Sequence, residues 1–95
     1  MELPSRSGST WTPLLAAREV TPGRWFMIDG LDHPYGEILL ERVDGVLAYT
    51  ADRTDERGNH TVHIGRISTL AEAARLIHVH FIRSHGGPPR TSYSA

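Results

Sequence analysis

The 95-residue sequence holds no cysteine and no lysine. The missing thiols exclude disulfide staples, thiolate zinc sites, iron–sulfur clusters and a cysteine nucleophile. Long apolar runs are absent too, and no stretch approaches the roughly 18 residues a membrane helix needs. Met1 to Thr10 lacks the apolar centre of a secretory signal. What is present suits one small domain: 39% apolar residues, enough for a modest core, on a chain of ordinary single-domain length. The expectation is a cytoplasmic protein whose single α+β domain spans residues 11–87, with flexible Ser-, Gly- and Pro-rich tails at 1–10 and 88–95.

Charge is unevenly placed. Ten arginines face eleven acids for a net charge of −1, with six histidines neutral. Residues 29–59 hold eight acids and three arginines, whereas residues 60–95 hold four arginines and only Glu72. Five of the six histidines (His60, His63, His78, His80 and His85) also fall in that basic third. Imidazoles titrate near pH 6.5, so this end gains charge as pH falls.

The element pattern predicts a small sheet followed by one helix. Thr12-Pro13 before Leu14-Leu15-Ala16-Ala17 reads as an N-cap and a short helical turn, or equally as an extended arm. Arg24 to Ile28 is rich in β-prone residues and predicts a strand. Ile38–Val43 and Val46–Ala51 flank Asp44-Gly45, the dipeptide preferred in a type I′ hairpin turn. That turn pairs Val43 with Val46, Leu40 with Tyr49 and Ile38 with Ala51. Alternation then sets Ile38, Leu40, Leu47, Tyr49 and Ala51 on a core face, and Leu39, Val43, Val46 and Ala48 with Glu41 and Thr50 on the other. Residues 52–60 read as a mobile polar connection. Thr61–Ile67 reads as a further strand that alternates Val62, Ile64 and Arg66 against His63 and Gly65. Thr69 with Glu72 forms a capping box. Leu70, Ala73, Ala74, Ile77 and Phe81 make one helical stripe, ended by Gly86-Gly87. The expected fold is thus an antiparallel sheet of three to four strands with one C-terminal helix on one face. The second face needs a cover, either the segment with Trp11, Leu14 and Leu15 or a second chain.

Candidate chemistry is sparse. His78 and His80 diverge by about 200° around a helix, and His78 and His85 sit two turns apart, so no metal pair forms at i, i+4. Asp29-Gly30-Leu31-Asp32-His33 reads as turn-forming residues. The glycines are scattered and make no phosphate loop. No catalytic residues, metal, cofactor or small-molecule substrate are expected from this pattern, and neither is membrane association.

Strands followed by a helix through Gly65-Arg66-Ile67-Ser68-Thr69-Leu70-Ala71-Glu72-Ala73 resemble the strand-to-helix junction of AP2-like and integrase arm-binding domains. That resemblance covers about residues 24–84. It implies DNA recognition by the sheet, with Arg24, Arg42 or Arg66 near bases or phosphates; Arg75 and Arg83 on the helix are the alternative basic groups. Val20-Thr21-Pro22-Gly23-Arg24-Trp25 with Gly36-Glu37-Ile38 also looks like the opening of an SH3-like barrel, which implies aromatic recognition by Trp25, Tyr35 and Tyr49. Taken whole, and with arginine replacing lysine as in high-GC genomes, the chain resembles short proteins of actinobacteria and their phages. The leading expectation is a protein-interaction or self-association module that uses Leu39, Val43 and Val46. Its partner is a second copy or another protein. The alternative is a nucleic-acid-binding accessory protein.

Overall fold

The computed structural model describes residues 11–85. Its strands are β1 (Ala17–Thr21), β2 (Arg24–Ile28), β3 (Pro34–Val43), β4 (Val46–Thr54) and β5 (His60–Ile67), followed by helix α1 (Leu70–His85). Each strand pairs antiparallel with its neighbour in sequence, giving one sheet in the order β1-β2-β3-β4-β5. The α+β architecture is present, and the sheet has five strands where three to four were expected. The expected tails and the Gly86-Gly87 stop lie outside the described residues.

The central hairpin follows the expected register, with Val43 opposite Val46, Leu40 opposite Tyr49 and Ile38 opposite Ala51. Asp44 and Gly45 both adopt positive φ, 53° and 80°, as a type I′ turn requires. Beyond that hairpin the strands run further than their composition suggests. Residues 52–60 are not a mobile connection, because β4 continues to Thr54, β5 starts at His60, and only the turn between them is unpaired. That turn closes on Asp55, whose Oδ1 accepts the amides of Arg57 and Asn59 at 2.9 and 3.0 Å. Asp52, Arg53 and Thr54 are buried in β4 and not in a loop; Asp52 and Arg53 have hydrogen-bond partners there, whereas the Thr54 hydroxyl has none among the described residues.

One face of the sheet carries α1. Met27, Ile38 and Ala51 from the strands and Ala73, Ala74 and Ile77 from the helix are fully buried against each other, with Leu70 and Phe81 at the margins. The predicted helical stripe is therefore the packed one. Burying each large apolar side chain stabilises the fold by roughly 1.5–3 kcal/mol. The close approach depends on Gly36: a Cβ there would collide with Ile77 Cγ2 and lie 3.1 Å from the Asp52 carbonyl. Arg53 points to the same side, where its Nε donates to the Tyr35 carbonyl (2.9 Å) and its Nη1 reaches His80 Nδ1 (3.1 Å) and Ser84 Oγ (3.0 Å). Burial pulls the pKa of this guanidinium below the usual arginine range. At the start of α1 the Glu72 amide donates to Thr69 Oγ1 (3.2 Å). The reciprocal arm of the capping box is replaced, because the Glu72 carboxylate accepts both Nε and Nη2 of Arg75.

The N-terminal segment forms a 3-10 turn over Pro13–Ala16, with proline at its start and no side-chain cap from Thr12. It does not cover the second sheet face. β1 pairs at the edge of the sheet, its first residue Ala17 and the preceding Ala16 pack on the core beneath the helix, and the Trp11 ring lies 5.1 Å from that of His78. The segment therefore runs along α1, and among the described residues no element lies across the opposite face.

Candidate functional site on the open face

Cross-strand pairing determines what the open face shows, because directly opposed residues point the same way. One row runs Arg18, Phe26, Glu37, Asp52 and His63 across all five strands. The next runs Arg24, Leu39, Thr50 and Arg66. Toward the hairpin tip come Glu41 opposite Ala48 and Val43 opposite Val46.

Strand β5 joins these rows only because it is bulged twice. Ala51 and Asp52 are opposed by Gly65 and His63, and Arg53 and Thr54 by Val62 and His60, so Ile64 and Thr61 are each an extra residue. In a regular strand His60, His63 and Arg66, spaced by three, would alternate between faces. Each bulge absorbs one residue and turns that spacing into an effective two, which places all three on the open face, opposite Thr54, Asp52 and Thr50. The expected plain alternation of this strand, with Arg66 opposed to His63, is thereby corrected.

The rows bring two carboxylates face to face. Glu37 and Asp52 are opposed across β3 and β4, with side chains only 5% and 9% exposed. Like charges so placed destabilise a sheet unless compensated. Three side chains compensate them. Arg24 Nε and His60 Nε2 both hydrogen bond to Glu37, and His63 Nδ1 donates to Asp52 Oδ1 at 2.8 Å. His60 Nδ1 also faces Asp52 Oδ2 at 3.9 Å, so its ring stands between the two acids. Burial pushes the Glu37 carboxyl up, but the bonds from His60 and Arg24 outweigh it and hold the group below the usual glutamate range. The Arg24 guanidinium lies 5.1 Å from the centroid of the Phe26 ring, and a Cβ added at Gly58 of the β4–β5 turn would lie 3.6 Å from that ring.

The cluster is layered. The carboxylates lie beneath, while the side chains of Arg24, His60 and His63 above them are 45%, 48% and 58% exposed. The acidic composition of residues 29–59 is therefore not what this part of the face presents to solvent. Imidazoles and guanidinium groups face solvent there.

The remaining expected residues divide between the faces. Leu39, Val43 and Val46 lie on the open face as expected, with Glu41 between them. Arg24 and Arg66 share that face. Arg42 falls in a row of the helix-side face at the hairpin tip and donates to the Gly45 carbonyl, Arg75 is paired with Glu72, and Arg83 is on α1. Of the aromatics, Trp25 and Tyr49 pack together at the core margin and Tyr35 lies on Phe81, so they form no exposed recognition surface. His33, between Asp29 and Glu56 at 4.0 and 3.9 Å, borders a cavity of about 480 Å³ with Tyr35, Arg53 and Phe81. Among the described residues no three His, Asp or Glu side chains converge as a metal-holding group, and no helix is long and apolar enough to cross a membrane.

Sequence reasoning missed Glu37, Asp52, His60 and His63 as a group. Asp52 and His60 lie in a stretch whose composition reads as a connection, and the bulges that align the histidines leave no signal except Gly65. Comparison of the chain with family models, with characterised proteins and with solved structures finds no match.

Proposed function

We propose that this chain is an interaction module that associates, with a second copy or with another protein, through the tip of its β3–β4 hairpin and the adjoining open face. The observation that carries this reading is the exposure of apolar side chains at that tip. Val46 and Leu47 are 65% and 53% exposed and Leu40 is 37% exposed, although Leu40 and Leu47 belong to the face that α1 covers elsewhere. With Val43 they make a two-sided apolar wedge beyond the reach of the helix, the kind of patch that marks contact surfaces. Light scattering of the purified chain tests it. The expected result is a dimeric mass, or a monomer that is captured in a defined complex. Val43→Glu with Val46→Glu then yields a folded monomer without that contact. Unfolding by the pair would show the tip to be internal and remove the support.

A second reading, nucleic-acid binding by the sheet, is favoured by the layering of the open face and by the row that carries Arg24 at one end and Arg66 at the other. It agrees with the resemblance to AP2-like and integrase arm-binding domains. Its signature is affinity for an oligonucleotide that falls steeply between about 50 and 200 mM salt. Arg66→Ala weakens that affinity, whereas Arg75→Ala, on the opposite side of the molecule, leaves it unchanged. Equal effects from both would remove the open face as the binding surface.

A further inference from the structure

We propose that the cavity beside Arg53 binds a small zwitterion of the α-amino acid class, with the ligand carboxylate on the Arg53 guanidinium and its ammonium at the acidic mouth. The site goes beyond association through the hairpin tip and nucleic-acid binding by the open face, and depends on neither. Arg53 carries the inference. Every other arginine among the described residues is exposed, whereas Arg53 is 7% exposed. Its hydrogen bonds go to the Tyr35 carbonyl, His80 Nδ1 and Ser84 Oγ. All three acceptors are uncharged, since a guanidinium only donates and a ring nitrogen that accepts from it holds no proton. The ion pairs that arginines make among the described residues belong to Arg18, Arg24 and Arg75. Arg53 has no carboxylate partner there, and its Nη2 makes no hydrogen bond to the described residues.

A buried charge without a counter-charge is costly, and a guanidinium does not escape the cost by losing its proton at physiological pH. The Phe81 ring, 5.3 Å from the Arg53 guanidinium carbon, and the C-terminal turn of α1 offset part of the charge but provide no anion. A cavity of about 480 Å³ borders Arg53, with Pro34, Tyr35 and Phe81 as its apolar lining. That volume falls in the range of small-molecule sites, about 300–1,000 Å³. The ligand class follows from the remaining groups. Asp29, Asp55 and Glu56 also line the cavity, so one guanidinium is set against three carboxylates. A dianion such as phosphate gains Arg53 but meets three acids, and a simple amine gains the acids but leaves Arg53 without an anion. A ligand that carries both a carboxylate and an ammonium satisfies both ends. Asp29 and Asp55 already accept backbone amides of their own turns. Glu56, with its side chain 78% exposed beside His33, is the acid free to turn toward an ammonium.

The test melts the full chain with each standard L-α-amino acid and with inorganic phosphate, and calorimetric titration gives the affinities. For the amino acid that stabilises most, its α-amide lacks the carboxylate and its N-acetyl form lacks the ammonium. Expected is a saturable rise in Tm with at least one amino acid and none with phosphate. The α-amide binds about tenfold or more weakly, as befits the loss of a charge-assisted bond. Glu56→Gln weakens the parent amino acid and leaves the N-acetyl form unchanged. Arg53→Gln abolishes binding of both. Where that variant fails to fold, since Arg53 also ties β3 to α1, the analogue series and Glu56→Gln decide. Stabilisation by no amino acid at millimolar concentration overturns the proposal, as does a non-saturating rise common to all of them. Equal binding of amino acid and α-amide removes the carboxylate from Arg53. Equal binding of phosphate, or an undiminished preference for the parent over the N-acetyl form in Glu56→Gln, overturns the zwitterion.

Discussion

The two faces of the sheet are built from the same five strands and hold themselves together by different physics. On the helix side, Met27, Ile38, Ala51, Ala73, Ala74 and Ile77 exclude water completely, and stability comes from apolar area and close packing. On the open side, Phe26 and Leu39 are the apolar neighbours of a buried carboxylate pair, and order comes from charge-assisted hydrogen bonds. A packed face tolerates neither added nor lost volume. A polar face tolerates changes in volume but not the loss of a partner. Substitutions that separate these two sensitivities are the most direct way to challenge the contrast.

The largest loss is expected at Ile77. Ile77→Ala removes a fully buried side chain and leaves a void over Gly36, costing about 2–5 kcal/mol in chemical denaturation. Gly36→Ala attacks the same contact from the sheet and costs about 1–3 kcal/mol through overpacking. Combined with Ile77→Ala, which removes the colliding Cγ2, the Gly36→Ala loss shrinks, and a double-mutant cycle measures the coupling. Strict additivity of the pair would show that the two residues do not share one space.

On the open side the expected effect is smaller and depends on pH. The folded-state pKa of Glu37 is lowered by His60 and Arg24, so the ionised form adds stability above the ordinary glutamate pKa. That contribution disappears as pH falls through the lowered value. Glu37→Gln is therefore less stable than wild type at pH 7, by about 1–3 kcal/mol for a charge-assisted buried bond. The gap closes in acid. A gap independent of pH would mean that Glu37 acts by shape alone. His78 supplies the counterpart on the helix side. Burial holds its pKa below the ordinary histidine value, so the stability it contributes is present above about pH 6.5 and lost as pH falls below it. Replacement by Phe flattens that limb in thermal melts. The smallest effect belongs to Val46, whose substitution by Glu changes monomer stability by less than about 0.5 kcal/mol while placing a charge in the proposed contact.

The same contrast explains what could be read in the sequence. Periodicity reports apolar burial, so β2, the β3–β4 hairpin register and the stripe from Leu70 to Phe81 were legible, each being a run in which apolar spacing and secondary structure agree. It does not report polar burial. Asp52, Arg53 and Thr54 carry the composition of a loop, and their membership of β4 depends on partners up to 31 residues away, such as Ser84 for Arg53. β1 lacks a clear apolar alternation because it is an edge strand, with all but its first residue exposed. The candidate site was the least legible feature. Its four central residues come from three strands, and their alignment depends on two bulges in β5 that composition does not encode.

The neighbour-to-neighbour strand order has a consequence for how the chain reaches this structure. Every hairpin closes a short loop, so the entropy of bringing distant segments together is small, and the sheet is expected to assemble rapidly from the Asp44-Gly45 turn outward. The helix follows all five strands in the chain, so on the ribosome the strands emerge before the element that shields Met27 and Ile38. A nascent sheet at that stage exposes its packing side to any other apolar surface nearby. Stalling translation before residue 70 would thus convert a monomer's core into an aggregation site, and the speed at which α1 is synthesised sets how long that hazard lasts.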